Sequence, residues 1–129
     1  MFLFGWIVVM VTPAAWIFRV NPALNEWFNT VFAPEWVHIA AHLILFYVVG
    51  ILSQLLLFQH LNPLRAFLYT LAMVFSIGLV QEFFQLLVKG RPIGPNEFFD
   101  LTVDLSACLL SFLTVLLLKL NKKNSSGQG

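Results

Sequence analysis

The chain has 129 residues, of which 60% are hydrophobic and only 10% are charged, and its formal net charge is +1. Soluble domains carry roughly a quarter charged residues. This composition, with a mean hydropathy of +0.87, therefore excludes an ordinary soluble domain and indicates an integral membrane protein in contact with the lipid bilayer. The nearly balanced charge also excludes a basic surface for nucleic acid, so no nucleic-acid partner is expected.

Four apolar runs approach the roughly 20 residues that a membrane helix needs. They predict an all-α fold, an integral membrane four-helix bundle that forms a single transmembrane domain over residues 1–120. The predicted spans are about 2–18, 36–58, 66–88 and 98–118. Residues 121–129 are small and polar, which predicts a disordered tail.

A short segment between the first two spans has its own apolar face. Its apolar residues recur at i, i+3, i+4, i+7 and i+8, at Leu24, Trp27, Phe28, Val31 and Phe32. This pattern predicts a short interfacial helix that lies on the membrane with its aromatic side chains at headgroup level. An ordinary loop is the alternative, and the regular period favours the helix.

Lysine and arginine near the span ends predict the orientation. With four spans, both termini share a side of the membrane with the short 59–65 connection. Four basic residues lie on that side and three on the other: Arg65, Lys119, Lys122 and Lys123 against Arg19, Lys89 and Arg91. The bias predicts that both termini are cytoplasmic.

Polar side chains concentrate where the second, third and fourth spans meet the outer side. An ionisable residue in a membrane helix costs several kcal/mol unless it is paired or reaches water, so this cluster is the candidate ligand site. Helical spacing places Glu82 with Gln85, and Asp100 with Asp104, on common faces. The candidate ligand-binding residues are His42, Glu82, Gln85, Arg91, Asp100 and Asp104.

Small residues continue the same polar faces. Ala107 and Ser111 extend the face of Asp100 and Asp104, and Gly78 lies one turn before Glu82. Small residues allow membrane helices to approach closely. The two coincident stripes predict that these faces point into the bundle.

The third and fourth spans resemble the VanZ-like family of small bacterial membrane proteins. That family has E-x-x-Q at the end of one helix, an arginine in the following loop, and D-x-x-x-N-x-x-G opening the next helix. Glu82 and Gln85 match the first element, Arg91 the second and Asp100 the third, whereas Asp104 replaces the usual asparagine. Three further positions depart from the glycines and the lysine of the family pattern: Ala107, Ser111 and Ile39.

The resemblance covers about residues 36–115 and includes an H-F/L-x-x-Y/F pattern at His42 and Phe46. It implies a multi-pass protein of the bacterial inner membrane. The family is linked by name to glycopeptide (teicoplanin) resistance. It implies no defined reaction, so enzymatic activity and cofactors stay open.

Three functions fit the cluster. The first is a site for a lipid-linked or cell-envelope ligand, in which Arg91 binds an anionic lipid headgroup or envelope precursor. His42, Glu82 and Asp100 would there suit acid–base chemistry or a hard divalent cation. The second is structural, with Glu82–Arg91 or Asp100–Arg91 as an ion pair that fixes helix register. The third is a structural accessory subunit that contacts other subunits of a larger membrane complex.

His38 and His42 lie one turn apart and could bind a transition metal or haem. No cysteine or methionine box accompanies them in the sequence. The sequence alone therefore predicts hydrogen-bonded histidines and no metal site.

Overall fold

The structure is a computed structural model that describes residues 2–12, 21–89 and 94–126. These residues form helices joined by short connections, and they include no strand. The helices in chain order are α1 (Phe2–Val11), α2 (Pro22–Phe32), α3 (Glu35–Leu57), α4 (Pro63–Lys89) and α5 (Pro95–Ser126). Three of them, α3, α4 and α5, are long and apolar enough to cross a membrane.

The predicted second, third and fourth spans correspond to α3, α4 and α5. At a rise of about 1.5 Å per residue, the 23 residues of α3 extend roughly 35 Å, enough to cross a hydrocarbon core of about 30 Å. Only α1, with 10 residues, represents the predicted first span, and the remainder of that span lies outside the described residues. The fourth membrane crossing therefore stays a prediction.

The C-terminal helix differs from the prediction in its length. Helix α5 continues to Ser126, whereas we expect the span to end near residue 118 and residues 121–129 to be disordered. An established helix extends at little cost through residues such as lysine and asparagine, so a polar sequence does not by itself end it. Residues 127–129 lie outside the described part.

Contacts between side chains fix the directions of the three long helices. Residues 38 and 42 of α3 face residues 100 and 104 of α5 in the same order, so these two helices run parallel. Helix α4 runs antiparallel to α5, because the Phe67 ring lies 4.6 Å from the Phe112 ring while Gly78 lies beside Asp104. The start of α3, the end of α4 and the start of α5 therefore lie together, and we call this the polar end.

Helix α1 packs against the three-helix core. Met10 is buried in one apolar cluster with residues from α3, α4 and α5, among them Phe46, Val74 and Ala107. The indole N–H of Trp6 donates to the backbone carbonyl of Leu45 at 3.3 Å. Helices α1, α3, α4 and α5 thus share one core within the described residues.

Helix α2 occupies the segment for which the apolar period predicts a helix. The Asn21 side chain caps its start by accepting from the backbone N–H groups of Ala23 and Leu24 at 3.0 and 3.4 Å. None of its residues is buried in the described structure. The helix is therefore present and amphipathic, while its position at a membrane interface stays a prediction.

Small residues line the contact between α3 and α5, the most extensive helix pair in the described structure. Ala107, Cys108 and Ser111 are fully buried on α5, as the predicted small-residue face requires. A Cβ atom at Gly50 would overlap the Ser111 hydroxyl and lie 2.8 Å from Ser111 Cβ. Glycine at position 50 is therefore what allows this approach.

Candidate functional site

Two histidine–aspartate pairs join α3 to α5 at the polar end. His38 Nε2 lies 3.1 Å from Asp100 Oδ2, and His42 Nδ1 lies 2.8 Å from Asp104 Oδ1. The two histidines are four residues apart on α3, and the two aspartates are four residues apart on α5. Each helix therefore contributes two side chains from successive turns of one face. The pairs therefore stack one turn apart along the α3–α5 contact.

The two pairs differ in burial. The side chains of His42 and Asp104 are 3% and 0% exposed, whereas those of His38 and Asp100 are 35% and 11% exposed. His38 is the fourth residue of α3 and His42 the eighth, so the deeper pair lies roughly 6 Å further along the helix. The site thus opens at the outer pair and closes at the inner pair.

Asp104 is the most enclosed group of the cluster. Its Oδ1 atom contacts His42, and its Oδ2 atom is buried with no hydrogen-bond partner among the residues that the structure describes. That oxygen faces α4, where a Cβ atom at Gly78 would lie only 2.9 Å from it. Glycine at position 78 therefore leaves the space that the inner carboxylate occupies.

Glu82 and Gln85 bring α4 into the same site. The Glu82 side chain is buried, and Gln85 Nε2 donates to Glu82 Oε1 at 3.4 Å, as expected for residues one turn apart. Glu82 also lies one turn after Gly78, the residue of α4 that faces Asp104. Five of the six predicted residues, from three helices, therefore gather at the polar end.

Arg91, the sixth predicted residue, lies outside the described residues. The predicted ion pairs of Arg91 with Glu82 or Asp100 therefore stay predictions. Asp100 has a histidine partner in the described structure, which residue spacing within each helix cannot reveal because the two residues are 62 positions apart.

The sequence-based choice of site residues leaves out three polar residues whose side chains form hydrogen bonds in the described structure. His38 belongs to the outer pair, although the sequence argument selects only His42. Glu97 is buried and accepts the Gly94 backbone N–H at 2.7 Å near the start of α5. Gln54 donates to Ser111 Oγ at 3.1 Å, and its position inside an apolar run was the signal for it.

No protein-family model, curated protein or solved structure matches this chain. The resemblance to the VanZ-like family stays a prediction from the motif residues.

The chemistry of the site follows from its donors and acceptors. Carboxylates only accept hydrogen bonds when ionised, and a neutral imidazole has one donor and one acceptor nitrogen. If Asp104 is ionised and His42 is neutral, His42 donates from Nδ1 and presents an unprotonated Nε2. The arrangement can bind a cationic or hydrogen-bonding group, or transfer a proton between the outer and inner pairs.

Proposed function

We propose that this chain is a VanZ-like protein of the bacterial inner membrane that binds a lipid-linked or cell-envelope ligand at its polar end. The observation that supports this most is the stack of two His–Asp pairs, in which one buried oxygen of Asp104 has no partner within the described part of the chain. Ionisable groups at such positions are costly in a bilayer and commonly mark sites of binding or transport.

A purely structural role explains the cluster less well. The α3–α5 contact already has polar bonds away from the polar end, between Gln54 and Ser111 and between Tyr47 and Thr114. Such bonds contribute on average about 0.6 kcal/mol in membrane helices and are sufficient to set register. The polar end contains several buried carboxyl groups, which are more than the helices need to fix their register.

The depth of the site suits a ligand that approaches from the membrane surface. Asp100 and Asp104 are the sixth and tenth residues of α5, roughly 8 and 14 Å from its start. A headgroup could reach the partly exposed His38 directly. Arg91 comes two residues after the last residue of α4 in the sequence, and we expect it to bind the anionic part of the ligand.

The double variant Glu82→Gln/Asp100→Asn tests the ligand function. Both changes keep the shape of the side chain and remove a charge, so the protein is expected to stay folded while ligand binding is lost. Stability in detergent is followed by thermal unfolding, and function by teicoplanin sensitivity of a host that expresses the protein. The expected result is a stable protein and a host as sensitive as one without it.

Thr102→Val is the matched control for the double variant. Thr102 is exposed on the same helix, and its hydroxyl donates only to the backbone carbonyl of Phe98 in its own helix. This variant should retain both stability and function. A double variant that is stable and fully active would contradict the ligand function, and the scaffold role and the accessory-subunit role would then remain.

We expect the polar end to face outward, with both termini in the cytoplasm. Single cysteines at Asn96 and Gln59, both exposed, report the two ends of the bundle in a Cys108→Ser background. In intact cells an impermeant thiol reagent should label position 96 and not position 59. Labelling at position 59 alone would reverse the orientation and place the site on the cytoplasmic side.

A structural accessory subunit is the second candidate function. The observation in its favour is the number of large apolar side chains exposed along α3, α4 and α5, such as Ile44, Phe83 and Leu117. Lipid covers such side chains equally well, so this observation supports the accessory role less strongly than the buried pairs support the ligand site.

A further inference from the structure

Three potential metal-ligating side chains converge at the polar end. One ligand atom each from His38, His42 and Asp100 can be chosen so that all three lie within 4.8 Å of one another. The two imidazole rings are 4.6 Å apart between centroids, because the histidines occupy successive turns of α3. The helical period of α3 alone places the two histidines side by side, whereas the packing of α5 against α3 brings the Asp100 carboxylate to them.

We propose that His38, His42 and Asp100 bind a zinc ion, with Asp104 as a positioning residue. Zinc in proteins binds about 2.0–2.2 Å from nitrogen and oxygen ligands, which places two ligands of a tetrahedral site about 3.4 Å apart. The 3.1 Å separation of His38 Nε2 and Asp100 Oδ2 is close to that distance. An ion that enters between these atoms takes the place of the proton they share. A neutral His38 then carries its proton on Nδ1, whereas a doubly protonated His38 releases one proton to solvent.

The inner pair supplies an independent reason for a metal site. A histidine that ligates zinc usually donates its other ring N–H to a carboxylate, which fixes the ring and its tautomer. His42 makes that bond through Nδ1 to Asp104, which leaves Nε2 as the nitrogen for the ion. Asp104 is completely buried, and one of its oxygens has no partner among the described residues, so a nearby cation would also offset a carboxylate that is costly at this depth.

The ligand set selects the type of metal. Two imidazoles and one carboxylate suit zinc and similar transition metals, whereas magnesium and calcium prefer oxygen ligands throughout. Three protein ligands leave a fourth position open for water or a substrate oxygen. The His38 side chain is 35% exposed, which gives the ion a path from the polar end.

The zinc site stands on these residues alone and does not depend on an envelope ligand. The test uses the whole chain in detergent, stripped of metal with a chelator and then titrated with zinc chloride. Mass spectrometry measures the bound metal, and calorimetry measures the heat of binding. We expect one zinc per chain in the wild type. Cobalt added in its place should give the visible absorption of a tetrahedral nitrogen–oxygen site.

Four variants separate a built site from loose binding. His38→Ala and Asp100→Asn should each abolish stoichiometric zinc binding. Asp104→Asn should weaken affinity by roughly 10–100-fold without abolishing it, since it acts through His42. His60→Ala is the control, because His60 is exposed at the opposite end of α3 and should leave binding unchanged.

The wild type alone keeps the proposal falsifiable where a variant does not fold. A stripped wild-type protein that binds no stoichiometric zinc and gives no tetrahedral cobalt spectrum would overturn it. Stoichiometric zinc that persists in folded His38→Ala and Asp100→Asn would overturn it as well, and so would loss of zinc from folded His60→Ala. None of these results would bear on the teicoplanin sensitivity of a host that expresses Glu82→Gln/Asp100→Asn. The zinc site and the envelope-ligand function can therefore fail separately.

Discussion

Replacing His42 by leucine is expected to destabilise the protein by roughly 3–5 kcal/mol. The change removes the hydrogen bond to Asp104 and leaves a fully buried carboxyl group with neither oxygen partnered in the described structure. Removing one member of a buried pair typically costs that much because the other member is stranded. The free energy of unfolding, measured by titration from mild detergent into sodium dodecyl sulfate, should report this loss.

The double variant His42→Leu/Asp104→Leu distinguishes a stranded group from lost packing. Leucine and aspartate branch at the same carbon and have the same number of side-chain heavy atoms, so leucine at position 104 occupies a similar shape without a buried charge. Replacing both members of a buried pair is often neutral or stabilising. The double variant should therefore recover most of the stability that His42→Leu loses.

The outer pair provides the comparison within the same helices. His38→Leu should cost less than about 1 kcal/mol, because the His38 side chain is 35% exposed and partly solvated. Equal losses for His38→Leu and His42→Leu would contradict the difference in burial between the two pairs. An undiminished loss in the double variant would show that His42 acts by packing instead.

Gly50→Ala is expected to be the most damaging single-atom addition in the described bundle. Its Cβ would overlap the Ser111 hydroxyl and lie 2.8 Å from Ser111 Cβ and 3.6 Å from Cys108 Cα. Atoms close to the α5 backbone cannot rotate away, so the two helices must separate. Overpacking of this kind costs about 1–3 kcal/mol, although alanine is the better helix former.

The chain offers both a control and a rescue for Gly50→Ala. Gly5→Ala meets nothing within 4 Å and should be neutral or slightly stabilising, because only the helix propensity changes. Adding Ser111→Gly to Gly50→Ala moves the small residue to the other helix and should restore part of the lost stability. The same unfolding titration checks both, and a tolerated Gly50→Ala would contradict the close α3–α5 contact.

The sequence predicts which faces are polar but not which side chains meet. Each helix carries its own periodicity, so the common faces of Glu82 with Gln85 and of Asp100 with Asp104 follow from spacing within one segment. The pairing of His42 with Asp104 depends on the register between two helices that are 62 residues apart. Apolar patterns leave that register open in membrane helices, since nearly every position is apolar.

Small residues carry part of the missing information. Gly50 sets how closely α3 approaches α5, and Gly78 sets how closely α4 approaches α5. Asp104 of α5 therefore lies between α3 and α4. Gly78 can be connected with Glu82 by spacing alone, whereas Gly50 appears in the sequence as one glycine in a long apolar run. Its role becomes visible only when Ser111 lies opposite.

The end of α5 shows another limit of sequence reasoning. A polar composition predicts disorder for residues 121–129, yet the described helix continues to Ser126. Composition reports how little apolar surface a segment can bury, whereas a helix that extends an existing one needs no new nucleus. The boundary of the apolar run and the boundary of the helix therefore differ.

Helices α3 and α5 meet through the two His–Asp pairs at a buried polar site. Solid-state NMR of the protein in lipid bilayers, with histidine labelled with ¹⁵N and aspartate with ¹³C, tests it directly when a chelator is present. Strong correlations are predicted between the His42 ring nitrogen and the Asp104 carboxyl carbon, and weaker ones between His38 and Asp100. Correlation of the Asp104 carboxyl with lipid acyl chains, and none with His42, would contradict the site.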